Sequence, residues 1–199
     1  MIRLGITGQV GTGKSLAAGF FEKLGAKRIS ADELAHDLTR RGGKCFKKIE
    51  KAFGVKVLNN KSEIDRKALG KLVFASPAKR RILNGIVHPE VIKEIKRLTL
   101  KAGKKSILAI EIPLLIECRL FKLVDAVIVV DCPRKTQLAR LAGAGIANTA
   151  AKKMIKSQLP MKEKLKYADF VVDNGGSKAR TRAQVKFLLD RIKKIDLRC

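Results

Sequence analysis

The stretch that decides the fold of this 199-residue chain is Gly8-Gln9-Val10-Gly11-Thr12-Gly13-Lys14-Ser15. Its spacing matches GxxxxGK[ST], the pattern of a phosphate-binding loop. The glycines allow consecutive backbone N–H groups to curl around a phosphate, and the start of a helix near Lys14 adds partial positive charge. Lys14 is predicted to reach the β- and γ-phosphates of a nucleotide, and the Ser15 hydroxyl is predicted to ligate Mg²⁺.

The segments on either side of this loop have the pattern that the motif requires. Residues 2–6 form a short apolar run, which is typical of a buried strand. Residues 14–24 carry apolar side chains at helical spacing, and Gly25 is expected to end that helix. A simple glycine-rich turn is the alternative interpretation, but a loop between a strand and an amphipathic helix favours phosphate binding.

The rest of the chain alternates strand and helix patterns. A second short strand is predicted at 26–30, and continuous apolar runs predict strands at 106–110, 126–131 and, more weakly, 168–173. A long helical stretch from 44 to 100 is expected to be broken at Gly54, Asn59-Asn60, Pro77 and Pro89, and the pattern at 178–195 indicates an amphipathic helix. We therefore predict an α/β fold of the P-loop NTPase type, with three α/β/α layers, a five-stranded parallel sheet and a helical insertion.

Composition limits the classes of function. There are 44 Lys and Arg against 18 Asp and Glu, a formal net charge of +26, which makes nucleic acid a candidate partner. No recognition motif accompanies the charge, so nucleic-acid binding is not favoured. No apolar run is long enough for a membrane span, and the spacing of Cys45, Cys118, Cys132 and Cys199 does not suit zinc. A cytoplasmic enzyme with free thiols is the expectation.

Four polar residues are candidates for the acceptor side of a phosphoryl transfer. Asp32 follows the second predicted strand, where its carboxylate could accept a proton from an attacking hydroxyl. Capping of the next helix is an equally favoured role for Asp32 on position alone. Glu111 follows the strand at 106–110 and is suited to holding Mg²⁺, with Glu117 as a weaker candidate. His88 is more often expected to be a packed residue than a catalytic one.

With these residues in view, the chain resembles the dephospho-coenzyme A kinase family along nearly its whole length. The matching stretches are Gly5–Ser15, Ser30–Ala35, Ile64–Leu69, Val73-Phe74, Ile86–Pro89, Glu111–Glu117, Val129–Pro133, Gln137–Leu141, Ser157–Pro160, Ala168-Asp169 and Asp173-Asn174. The phosphate loop is common to many enzymes, whereas this ordered set of segments is far more specific.

The resemblance implies transfer of the γ-phosphoryl group of ATP to the ribose 3′-hydroxyl of dephospho-CoA, with Mg²⁺. It implies a core at about 1–33 and 104–199, a helical acceptor-binding region at about 34–103 and a lid at about 140–160. Asp32 is then the expected base, with Lys14 and Arg140 as further catalytic residues. ATP binding is expected at Gly11, Thr12, Gly13, Lys14, Ser15, Leu16, Asn174 and Gly175. Acceptor binding is expected at Asp32, His88, Glu111, Pro113 and Leu114, and metal binding at Ser15 and Glu111.

The sequence departs from the family pattern at several positions. Leu16 stands where a second hydroxyl residue is usual, Ser30 replaces the first acid of an Asp-x-Asp pattern, and Glu111 replaces an Asp. The lid segment 141–146 lacks an expected arginine, and Met154 occupies the place of another. Because arginine offsets charge on a transferred phosphoryl group, we expect a slow or weakly ATP-binding enzyme.

Three alternatives remain open at this point. One is another small-molecule P-loop kinase, such as a nucleoside monophosphate kinase. The second is a basic nucleic-acid-binding NTPase, and the third is a binding protein that has lost catalysis. A monomer or weak homo-oligomer is expected.

Overall fold

Five short strands form a parallel sheet in the computed structural model, which describes residues 1–196. The strands are β1 (Ile2–Thr7), β2 (Lys27–Ser30), β3 (Ile107–Glu111), β4 (Ala126–Asp131) and β5 (Phe170–Asp173). Their order across the sheet is β2-β3-β1-β4-β5, and every pairing is parallel. The predicted five-stranded α/β architecture is confirmed.

Side chains of a strand alternate between the two faces of the sheet. Both faces pack against other parts of the chain. On one face Leu4 and Ile6 pack with buried residues of α1 (Lys14–Lys23) and α9 (Lys178–Asp196). On the other face Gly5 lies so close to Leu115 and Val124 that a Cβ there would come within 2.9 Å of both. Continuous apolar strands are typical of a sheet covered on both sides.

The chain divides into two units, and the sheet belongs to the unit that combines residues 1–30 with the chain from Ala102 onward. This unit also contains α6 (Arg134–Gly143), α7 (Asn148–Lys156) and α8 (Met161–Leu165). Helices α6 and α7 pack against each other, and buried Leu141, Ala151 and Ile155 form a small apolar cluster there. The lid role predicted for 140–160 stays a prediction.

The second unit, Ala31–Lys101, is helical. It contains α2 (Ala31–Thr39), α3 (Phe46–Phe53), α4 (Arg66–Ala75) and α5 (Pro77–Lys101). Each of the three shorter helices packs against α5, and Leu38, Ile49 and Leu69 are buried. The Asp65 side chain accepts hydrogen bonds from the backbone N–H groups of residues 67 and 68, which fixes the start of α4. Acceptor binding by this region stays a prediction.

The predicted break at Pro89 is wrong. Helix α5 runs from Pro77 to Lys101 and contains Pro89 in its interior. Proline removes one helical hydrogen bond and usually kinks or ends a helix. Here Val87, Val91 and Ile95 are buried on both sides of Pro89, and this continuous packing stabilises the helix through the proline.

Within residues 1–196, no helix is long and apolar enough to cross a membrane. Cys45, Cys118 and Cys132 form no disulfide bond within the described residues, and Cys199 lies outside them.

Candidate active site

The phosphate loop connects the end of β1 to the start of α1, as its sequence predicts. Gly13 immediately precedes α1 and has a φ of 88°, a conformation that L-residues with side chains rarely adopt. A Cβ at Gly13 would also lie 2.0 Å from Asn174 Nδ2. Strain and contact together exclude any larger residue at this position.

The loop is held in shape by its own polar groups. The Gln9 carbonyl accepts hydrogen bonds from Thr12 Oγ1 at 2.9 Å and from Lys14 Nζ at 3.0 Å. Thr12 is fully buried, while Ser15 at the start of α1 is exposed. The Lys14 ammonium group therefore lies against the loop, where motif chemistry places the triphosphate.

Two residues predicted to act on ATP, Arg140 in α6 and Asn174 directly after β5, brace the loop. Arg140 donates to the Thr12 carbonyl at 3.2 Å and to the Asn174 carbonyl at 2.7 Å. The Asn174 side chain donates to the same Thr12 carbonyl at 2.7 Å and accepts from Thr181 Oγ1 at 2.8 Å. Gly175 follows directly, with its N–H bonded to Asp173. The structure thus brings Arg140 and Asn174 to the loop, and their contact with ATP stays a prediction.

A second brace reaches the loop from residues 158–159. Gln158 Oε1 accepts from the Val10 N–H at 2.8 Å, and Gln9 Nε2 donates to the Leu159 carbonyl at 3.0 Å. The Leu159 N–H in turn donates to Glu117 Oε1 at 3.1 Å. Glu117, the weaker metal candidate, therefore supports the loop through the main chain.

Glu117 also forms an ion pair with Lys164, a residue that sequence reasoning missed. The Lys164 side chain is fully buried, and its Nζ lies 2.7 Å from Glu117 Oε1 and 2.8 Å from Oε2. It also donates to the Pro113 carbonyl at 3.3 Å, which accepts from Thr7 Oγ1 as well. A lysine in a basic sequence normally indicates a solvated surface, so the pattern contained no signal for this role.

The two predicted metal-binding residues are in direct contact. Ser15 Oγ donates to Glu111 Oε1 at 2.6 Å, and Arg28 Nη2 donates to Glu111 Oε2 at 3.0 Å. Glu111 is the last residue of β3 and only 4% exposed. Arg28 was not among the predicted site residues, because its partner depends on the pairing of β2 with β3.

This pair of oxygen donors suits magnesium. Mg²⁺ prefers hard oxygen ligands and keeps several waters, so it needs only one or two protein groups beside the phosphates. Among the described residues no group of three or more His, Cys, Asp or Glu side chains could hold a metal alone. Ser15 and Glu111 would hold the ion, and its chemistry there would be to offset the negative charge of the phosphate oxygens.

The remaining predicted residues are placed as follows. Pro113 and Leu114 follow β3 and are half-buried, and Leu16 lies half-buried in the first turn of α1. Asp32 is an exposed residue of the helical unit and lies within the first turn of α2, two residues after the end of β2. His88 lies in α5, where burial lowers its pKa, so its imidazole is neutral at pH 7.

A phosphate loop at the end of the central strand of a parallel α/β sheet, beside a carboxylate that ends the neighbouring strand, defines a protein of the P-loop NTPase class. Comparisons with known proteins specify the family. The family model for dephospho-CoA kinase matches residues 2–180. The chain belongs to the dephospho-CoA kinase family.

Individual relatives agree over nearly the full chain. The dephospho-CoA kinase of Carboxydothermus hydrogenoformans is 38% identical over 193 residues, which cover 96% of this chain and 94% of the relative. That of Aquifex aeolicus is 36% identical, with 96% of this chain and 98% of the relative covered. The solved structure of dephospho-CoA kinase from Campylobacter jejuni has a TM-score of 0.71 at 30% identity and covers 98% of each chain.

Proposed function

We propose that this chain transfers the γ-phosphoryl group of ATP to the ribose 3′-hydroxyl of dephospho-CoA, releasing CoA and ADP. The observation that carries the proposal is the contact of the loop hydroxyl Ser15 with Glu111, in a chain that belongs to the dephospho-CoA kinase family. This contact supports a metal-assisted kinase site, and family membership supports the choice of acceptor.

The donor is bound by the loop and its neighbours. Main-chain N–H groups of residues 11–16 surround the phosphates, and Lys14 moves from the Gln9 carbonyl onto the β- and γ-phosphates. Ser15 and Glu111 hold Mg²⁺. Arg140 fixes the loop through Thr12, and the segment at Asn174 and Gly175 receives the adenine.

The acceptor hydroxyl attacks the γ-phosphorus while its proton passes to Asp32. A bond forms between the 3′-oxygen and phosphorus, and the bond from phosphorus to the β–γ bridging oxygen breaks with its electron pair leaving on ADP. Neutral His88, together with Glu111, Pro113 and Leu114, contributes to acceptor binding. The helical region supplies part of that surface, and residues 140–160 act as the lid.

The enzyme is proposed to work in the cytoplasm as a monomer or weak homo-oligomer. The three cysteines among the described residues form no disulfide bond there, which supports a reducing compartment. Size-exclusion chromatography with light scattering measures the oligomeric state.

The decisive experiment is mass spectrometry of dephospho-CoA incubated with ATP, Mg²⁺ and the purified protein. A product heavier by one phosphate, located on the 3′-oxygen by NMR, is expected. Nucleoside monophosphates and single-stranded RNA serve as competing substrates in a coupled ADP-release assay. Release of ADP with a nucleoside monophosphate, or salt-sensitive stimulation by RNA, and no reaction with dephospho-CoA would contradict the proposal.

A further inference from the structure

A guanidinium group on the edge strand β2 occupies one side of the candidate metal carboxylate. Arg28 Nη2 lies 3.0 Å from Glu111 Oε2, and the two side chains are 21% and 5% exposed. The other oxygen, Oε1, accepts the Ser15 hydroxyl at 2.6 Å. Each oxygen of Glu111 therefore has its own donor, and the carboxylate is held in one orientation.

Strand register explains this contact. In the parallel pairing of β2 with β3, Arg28 lies opposite Ala109 and Ser30 lies opposite Glu111. Because side chains alternate along a strand, Arg28 and Ser30 project to the same face, and the long arginine reaches diagonally to Glu111. The family resemblance implies an acid at position 30 and an aspartate at position 111. This chain has Ser30 and Glu111 there, and Glu111 is bound by Arg28.

We propose that Arg28 is a positioning residue that leaves Glu111 only one oxygen for the metal and thereby favours Mg²⁺ over Ca²⁺. This inference rests on the proposed function, which places the metal at Ser15 and Glu111. Ca²⁺ takes six to eight oxygen ligands and often binds both oxygens of one carboxylate. Mg²⁺ is smaller, is octahedral and keeps its waters. When a guanidinium group binds Oε2 of Glu111, the carboxylate has one oxygen left for a metal. One oxygen is enough for Mg²⁺ but does not allow the two-oxygen binding that Ca²⁺ often uses.

The test compares nucleotide affinity with each metal in variants of two arginines. R28M removes the guanidinium group and retains an apolar stem. R3M is the control, because Arg3 of β1 also binds a carboxylate, that of Asp125 directly before β4, with Nε 3.0 Å from Oδ2 and outside the candidate site. Isothermal titration with the non-hydrolysable ATP analogue AMP-PNP, without acceptor, gives the dissociation constant in MgCl₂ and in CaCl₂.

The measured quantity is the ratio of the Ca²⁺ to the Mg²⁺ dissociation constant. Loss of the Arg28 charge affects the binding of both metal–nucleotide complexes alike and cancels in the ratio, whereas loss of the restraint on Oε2 favours Ca²⁺ alone. We expect R28M to lower the ratio about tenfold, the effect of one charge-assisted hydrogen bond. The ratio of R3M should equal that of the wild type.

A ratio in R28M within about twofold of the wild type overturns the inference, since twofold is well below the effect of one such bond. If circular dichroism shows that R28M does not fold, R28Q, which keeps a polar group at the half-buried position, is judged by the same criterion. Failure of the proposed function is detected by a separate measurement. The wild type would then make no CoA in the mass-spectrometry assay, whatever the ratio of the two dissociation constants.

Discussion

Replacing Lys164 with Met is expected to destabilise the protein much more than the loss of an ordinary surface lysine. The Lys164 side chain is 0% exposed and its partner Glu117 is 20% exposed, with a closest approach of 2.7 Å. Removing one member of a buried pair leaves an uncompensated charge and costs about 3–5 kcal/mol. Glu117 retains the Leu159 N–H and some solvent contact, so the lower end of that range, about 3 kcal/mol, is expected.

The matched control lies two residues further along the chain. Lys166 and Glu163 approach to the same 2.7 Å, but their side chains are 60% and 42% exposed. Because exposed pairs contribute little, K166M should cost less than about 1 kcal/mol. The two variants remove the same charge and differ in burial.

Unfolding in urea, followed by far-ultraviolet circular dichroism, measures both effects. In thermal melts a loss of 3 kcal/mol corresponds to a decrease in Tm of roughly 6–12 °C for a chain of this size. K164M should also raise the dissociation constant for ATP, because Glu117 holds the segment that contacts Gln9 and Val10. Equal stability losses in K164M and K166M would refute the reasoning.

Three further predictions concern the site directly. D32N should retain ATP binding in calorimetry but lose transfer to dephospho-CoA; a turnover within tenfold of wild type would exclude Asp32 as the base. G13A should abolish ATP binding, because Gly13 has a positive φ and an added Cβ would contact the Asn174 side chain. The control G19A should bind ATP normally and gain about 0.5–1 kcal/mol of stability, because a Cβ at Gly19 has no neighbour within 4 Å. Because the predicted lid lacks one expected arginine in 141–146 and has Met154 in place of another, steady-state turnover should fall below the median enzyme value of ~10 s⁻¹. A rate at or above that value would show that these arginines are not needed for ordinary turnover.

Local patterns in the sequence predict the sheet and the loop well. Strands β1, β3, β4 and β5 are largely apolar runs, and the loop needs a fixed set of residue types at fixed spacing, so these parts can be predicted without knowledge of distant contacts. The predicted break at Pro89 was wrong because it used only the local rule that proline ends a helix. Packing of residues on both sides of Pro89 keeps α5 continuous. Helix preference is a weak guide when a long apolar face is buried.

The ionic contacts around the site could not be predicted in the same way. Arg28 and Glu111 are 83 residues apart, and Glu117 and Lys164 are 47 residues apart. In a chain with 44 basic residues, no spacing rule selects the two that meet these carboxylates. Strand register and the path of residues 158–164 decide the pairing, and both emerge only from the folded chain.

The order of the strands has a consequence during synthesis. The central strand β1 is hydrogen-bonded only to β3 and β4 among the described strands, and these begin at Ile107 and Ala126. A ribosome must therefore add about half of the chain before the first six-residue strand can acquire any neighbour. Until then the nascent polypeptide carries an unpaired, largely apolar segment, the kind of segment that is prone to association with other chains.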